Sequence, residues 1–207
     1  MRLNEIKVPT AEEDQLASKI VADCQQYFAL SHNRFVFHGA SDRKYPSLVT
    51  KANFEARRRP RDTDSRIHEE VNEYFVEKFG KPFRNALFAT GNQSETKGYG
   101  TTYYFLPIGR FEWLCYPYVT DLTNSVWDLK KSVEASIGHS PDINELNSEL
   151  VQYLDDSMVL HNKNLPGCIE SQSEIMFWCE KFYLIKWSSK PDEDISGLIQ
   201  SIVSKIA

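Results

Sequence analysis

Residues 167–185, GCIESQSEIMFWCEKFYLI, join polar side chains to a run that belongs in a protein core. Glu170, Gln172 and Glu174 alternate with serines, and Ile175, Met176, Phe177 and Trp178 follow without interruption. Read as one strand, the stretch sends alternate side chains to the same face. Gln172 and Glu174 then point together at the edge of a hydrophobic core. A carboxylate and an amide in that position need a reason.

Outward from this strand, the chain mixes helical and extended patterns. Leu16, Ile20, Val21, Cys24 and Phe28 recur at helical spacing after an acidic first turn, predicting a helix over about 11–30. The stretch RFVFHGA is a short strand, and the polar, basic segment SDRKYPSLVTKANFEARRRPRDTD is read as a loop. Asp64 can cap a helix SRIHEEVNEYFVEKF that stops at Gly80, with Pro82 beyond it. NALFATG reads as a strand and NQSETKGYG as a short turn. TTYYFLPIG and RFEWLCYPYV read as two strands joined at Pro107–Gly109. A helical region spans about 123–157 with a break at IGHSPD, and an amphipathic helix closes the chain over about 192–206. The expectation is an α+β fold in a single domain, with a helical part over about 1–30 and a core over about 34–187.

The 207 residues suffice for one well-buried domain or two very small ones. Hydrophobic residues make up 41%, aromatic residues 13% and charged residues 26%, a globular composition. A net charge of -5 gives no overall attraction for nucleic acid. No apolar run approaches the roughly 20 residues that span a bilayer, and MRLNEIKVPTAEEDQ is too charged for a secretory leader. Cys24, Cys115, Cys168 and Cys179 show no metal-ligand spacing. They are read as reduced, buried thiols of a cytoplasmic protein without membrane attachment.

Three segments carry the chemistry: FVFHG on the first strand, LFATG with KGYG in the middle, and QSEIMF at the late strand. In this order they resemble the three-part signature of ADP-ribosyltransferases over about 34–186. The matching positions are His38 and Gly39, then Thr90 with Tyr99, then Gln172 and Glu174. The resemblance implies a split, twisted β-sheet core that binds NAD as co-substrate, without a metal. His38 with a Thr-Gly second motif departs from the Arg and Ser-Thr-Ser pattern of toxin-like members with Gln-x-Glu, so the chain is not assigned to a branch.

The resemblance also implies roles. Cleaving the bond between nicotinamide and ribose develops positive charge on the sugar, which a fixed carboxylate stabilises, as in glycoside hydrolases. Glu174 takes that part and Gln172 orients the incoming nucleophile. His38 hydrogen-bonds either the adenosine-side ribose or the nicotinamide region, Gly39 admits the ligand close to the backbone, Thr90 lies at the second strand's end, and the Tyr99 ring stacks on nicotinamide. Each residue has a plainer alternative: a solvated Glu174, a structural His38, a Thr90 that satisfies a turn, a packed Tyr99.

Lys51, Arg57, Arg58, Arg59 and Arg61 place five cations within 11 residues. Three readings stand: a solvated loop, a clamp for the NAD pyrophosphate, or a track for a nucleic-acid backbone. Arg43 and Arg84 flank the first two motifs as further phosphate candidates. The resulting expectation is a mono-ADP-ribosyltransferase acting on a macromolecule, with RNA or DNA slightly favoured over a protein side chain. Small members of this kind are phage-encoded modifiers of host components or toxins of defence and toxin–antitoxin systems, the latter implying an antitoxin protein partner. A catalytically inactive binding module, a nucleic-acid-binding protein and an NAD glycohydrolase are the alternatives.

Overall fold

The computed structural model describes residues 9–41, 48–52, 54, 65–119, 121–141, 143–187 and 195–207. It is an α+β chain whose contacts divide into two compact units, each assembled from separated segments. Among the described residues, no helix is long and apolar enough to cross a membrane.

The first unit takes the described parts of Met1–Ala52, Asn92–Phe111 and Cys179–Ala207. Helix α1, Ala11–Asp23, starts in a capping box: Thr10 Oγ1 accepts from Glu13 N at 3.2 Å, and Glu13 Oε2 accepts from Thr10 N at 2.7 Å. The helix expected over 11–30 turns at Cys24 (φ -106°, ψ 18°) and resumes as α2, Gln25–Ser31, which ends at left-handed His32. Strand β1, Val36–Ala40, lies antiparallel to β4, Thr101–Cys115, with His38 opposite Tyr103 and Gly39 opposite Thr102. Part of the segment read as a loop forms β2, Val49–Lys51, antiparallel to β6, Glu174–Lys186. The closing helix α7, Ile195–Ile206, packs on α1. Asp14 Oδ1 accepts from Ser201 Oγ at 2.7 Å and from Lys205 Nζ at 2.9 Å. At Gly197 a Cβ would meet only the Glu13 carboxylate, at 2.7 Å, the movable end of a flexible side chain.

The second unit takes the described parts of Asn53–Gly91 and Glu112–Trp178. Helix α3, Ser65–Phe79, has the expected extent and stops at Gly80, whose φ of +76° suits a residue without Cβ. A 3₁₀ turn, Phe83–Asn85, leads into β3, Leu87–Thr90, antiparallel to the start of β6. Asp121 caps α4, Leu122–Ile137, accepting from Thr123 N at 2.7 Å. Gly138 (φ +79°) ends α4, and α5, Ile143–Asp156, follows, so the break at IGHSPD falls where expected. Strand β5, Leu160–His161, pairs with the end of β4. The core gathers Phe75, Phe83, Leu114, Leu146, Leu150 and Met176 among others, contributed by both helices and strands.

Three sequence expectations are corrected. The two strands drawn across Pro107–Gly109 are one strand, β4; Pro107 and Gly109 fall outside its registers with β1 and β5, where a missing N–H or a φ of +67° is tolerated. Residues 167–170 are helical rather than extended. Helix α6, Leu165–Glu170, is started by left-handed Asn164, whose Oδ1 accepts from Gly167 N at 3.2 Å. Finally, Cys115 and Cys168 are joined in a disulfide with Cα atoms 6.2 Å apart, so two of the four cysteines are not reduced thiols. Their separation of 53 positions hides the pairing from any spacing rule, because only the fold brings the end of β4 to α6. Cys24 and Cys179 are free and buried, as read.

Candidate functional site

The predicted residues fall into two groups, one in each unit. In the first unit, β1 presents His38 and Gly39. His38 is half-buried, its ring centroid 6.2 Å from that of Phe105. At Gly39 the space for a side chain is already taken: a Cβ would lie 2.4 Å from the Thr96 carbonyl oxygen and 2.8 Å from Tyr99 Cβ. The glycine therefore admits the 3₁₀ turn Gln93–Tyr99, not an open cleft, against the strand. Asn92 caps this turn, accepting from Ser94 N at 3.0 Å, and Thr96 Oγ1 lies 2.6 Å from Thr102 Oγ1. The result places Tyr99, 54% exposed, beside the His38–Gly39 strand. The first motif and the aromatic residue of the second thus stand together.

In the second unit, β3 and β6 bring the other two motifs together. Thr90 is the register partner of Glu174, and Thr90 Oγ1 donates to the Gln172 carbonyl oxygen at 2.8 Å. Gln172 has φ +60° and lies in a turn before the strand. The alternation argument for a shared face therefore fails: Gln172 is exposed, Ser173 is buried and Glu174, the first residue of β6, is half-buried. Several contacts hold this turn. Ser173 Oγ donates to the Pro117 carbonyl at 3.0 Å, and the Cys115–Cys168 disulfide ties α6 to the end of β4. At Gly91 a Cβ would sit 2.0 Å from the Ile169 carbonyl oxygen, so only glycine lets the end of β3 pass α6.

The strongest feature of the group is the partner of Glu174. Arg84 Nη1 donates to Glu174 Oε1 at 3.0 Å, and Arg84 Nη2 donates to Thr123 Oγ1 at 3.0 Å. The arginine side chain is 9% exposed and that of Glu174 21%. The Phe88 ring lies 5.0 Å from the guanidinium carbon. Behind it, Arg84 N donates to Asn72 Oδ1, and Asn72 Nδ2 donates to Asn85 Oδ1 at 3.3 Å. The charge-assisted hydrogen bond gives the half-buried carboxylate a partner of fixed position. Arg84 is thus turned to Glu174 and Thr123, not outward as a phosphate clamp.

Arg43, Arg59 and Arg61 lie outside the described residues, as do Arg57 and Arg58. Sequence reasoning missed the Arg84–Glu174–Thr123 chain. Its one local signal was an arginine next to Phe83 and close before the apolar run Ala86–Phe88, where a buried cation needs a carboxylate.

No family model, no curated protein and no solved structure matches the chain. None of these comparisons links it to the ADP-ribosyltransferases.

Proposed function

We propose that the chain is an NAD-dependent mono-ADP-ribosyltransferase, with Glu174 as the catalytic carboxylate and an ADP-ribosyltransferase-like arrangement of its strands. The observation that carries this reading is the pairing of Thr90 with Glu174 at the meeting of β3 and β6. Two motifs far apart in the chain are register neighbours, as a shared substrate site demands. The reading draws further support from half-exposed Tyr99, whose Cβ packs beside Gly39 in the first unit.

The reaction breaks the bond between ribose C1′ and the pyridinium nitrogen, and its electron pair goes to that nitrogen. Nicotinamide leaves neutral. The acceptor's nucleophile then bonds to C1′ and releases its proton to solvent. Glu174 stabilises the positive charge that develops at C1′, and it accepts a hydrogen bond from the ribose 2′-hydroxyl. On this reading Gln172, exposed on its left-handed turn, contacts the acceptor rather than the sugar. A macromolecular acceptor, RNA or DNA ahead of a protein side chain, accords with that exposure and with the basic composition of residues 51–61.

The test is incubation with NAD labelled in the adenylate phosphate and a cell extract, split afterwards into protein, RNA and DNA. Label in one fraction, absent when the variant Glu174→Gln replaces the parent, identifies the acceptor class. A second reading has its own observation: Thr90 Oγ1 and Glu174 are both engaged within the protein. On that reading the chain binds NAD without cleaving it, and millimolar NAD raises Tm while remaining unconsumed.

A further inference from the structure

Arg84 is the most buried charged side chain of the second group, and the catalytic scheme above gives it no part. Its surroundings are built rather than incidental. Nη1 meets Glu174 Oε1 at 3.0 Å and Nη2 meets Thr123 Oγ1 at 3.0 Å. One face of the guanidinium lies against the Phe88 ring. The backbone nitrogen is held by Asn72 Oδ1 at 2.9 Å, so the 3₁₀ turn that carries Arg84 is itself anchored to α3. Thr123 in turn has its backbone N–H fixed by the α4 cap, Asp121.

A long arginine side chain ordinarily loses much rotamer freedom when it is fixed. Here contacts from β3 and α4 hold it before any ligand arrives, on a turn whose backbone is anchored to α3. A planar fork in that setting offers the carboxylate a hydrogen bond of defined direction, which lysine, a point charge, does not. Preorganisation of this kind lowers the reorganisation needed when charge develops in the transition state.

We infer that Arg84 is a positioning residue: braced by Thr123 and Phe88, it sets the orientation of the Glu174 carboxylate for its part at the ribose. This rests on the transferase reading. It replaces the phosphate-clamp role for Arg84, because both terminal nitrogens already have partners inside the protein.

Two measurements test it together. The first needs no catalysis: in ¹⁵N spectra of the full chain, the Nη resonances of Arg84 should be resolved through hindered rotation. They should shift and broaden in Glu174→Gln, which keeps an acceptor but not the charge, collapse in Glu174→Ala, and broaden in Thr123→Val. The second is steady-state turnover of NAD by Arg84→Lys and Arg84→Met, on samples shown by circular dichroism to be folded. Turnover at saturating NAD should fall by about tenfold or more in Arg84→Met, and by less in Arg84→Lys, which keeps the charge but not the fork. KM for NAD should stay within about twofold of the parent, as for an interaction expressed in the transition state. A rise in KM with saturated turnover unchanged would assign Arg84 to substrate binding and overturn the proposal. Arg84 resonances unaffected by Glu174→Gln would overturn it at the level of geometry. Resolved resonances with no NAD turnover by the parent would overturn the transferase reading and the positioning role with it, while leaving the ion pair established.

Discussion

Arg84 and Glu174 form an ion pair at 3.0 Å in which the arginine side chain is 9% exposed and the carboxylate 21%. The pair links two residues 90 positions apart and closes the end of β6 on the 3₁₀ turn before β3. Its burial changes how the obvious catalytic variant behaves.

A glutamate at the start of a strand reads from sequence as a surface group whose loss costs little stability. With Arg84 as its partner, Glu174→Ala leaves a buried cation without its carboxylate. Removal of one member of such a pair costs about 3–5 kcal/mol, and the lower end applies here because part of Glu174 reaches solvent. For a chain of this size that is a fall in Tm of roughly 10 °C. Glu174→Gln keeps an oxygen to accept from Arg84 and should lose less than half as much. Thermal unfolding of the two variants side by side checks this, and equal Tm values for both and for the parent would contradict it.

The cysteines give a second outcome. Burial pushes the Cys24 thiol up to about 12, so at pH 8 roughly one in ten thousand is ionised. Burial also raises Cys179 strongly. Iodoacetamide should therefore label neither in the folded protein over minutes. Denatured without reductant, the chain should take up two labels, and after reduction four, as counted by mass spectrometry. Four labels without reductant would show that the Cys115–Cys168 bond is absent.

The fold was legible where local rules and tertiary context agreed. Helix α3 could be bounded because Gly80 and Pro82 stop it in any context. The two acidic helices could be split at Gly138 for the same reason. The start of β6 was not legible in detail, because ESQSE alternates like a strand while Asn164 and Pro166 begin a helix before it. That short helix and the left-handed Gln172 break the period on which the shared face depended. The pairing of Thr90 with Glu174, the disulfide and the buried arginine are contacts between distant segments, and no local pattern encodes them. Conversely, the strands that carry His38 and Glu174 could be located from sequence alone.

Glycine contacts separate two substitutions that look alike in sequence. At Gly91 a methyl group would press within 2.0 Å of the Ile169 carbonyl oxygen, whereas at Gly98 nothing lies within 4 Å. Gly91→Ala should destabilise by about 1–3 kcal/mol, the usual cost of overpacking against backbone, and should displace the turn that carries Gln172. Gly98→Ala should stay close to the parent. Comparing Tm and NAD turnover for the pair checks the prediction, and a harmless Gly91→Ala would contradict the close approach of β3 and α6.

The contact between α1 and α7 carries a pH dependence. A hydrogen bond from Ser201, and then one from Lys205, hold the Asp14 carboxyl below its ordinary value of 3.8. A carboxylate whose folded value is lowered adds stability that is present above the unfolded value and disappears as pH falls through the folded one. Asp14→Asn should therefore lower Tm at pH 7, and the difference should shrink as pH falls below 3.8 and be gone once the folded carboxyl is protonated. A difference that persists unchanged in acid would assign the loss to packing instead.

The most direct test of the account is release of nicotinamide from NAD by the purified chain and by Glu174→Gln at matched folded fraction. The account predicts steady release by the parent, with a fall on the order of 10²-fold or more in the variant, the scale of losing one electrostatic contact to the transition state. Equal rates in the two proteins would contradict the assignment of Glu174, and no release from either would contradict the transferase itself.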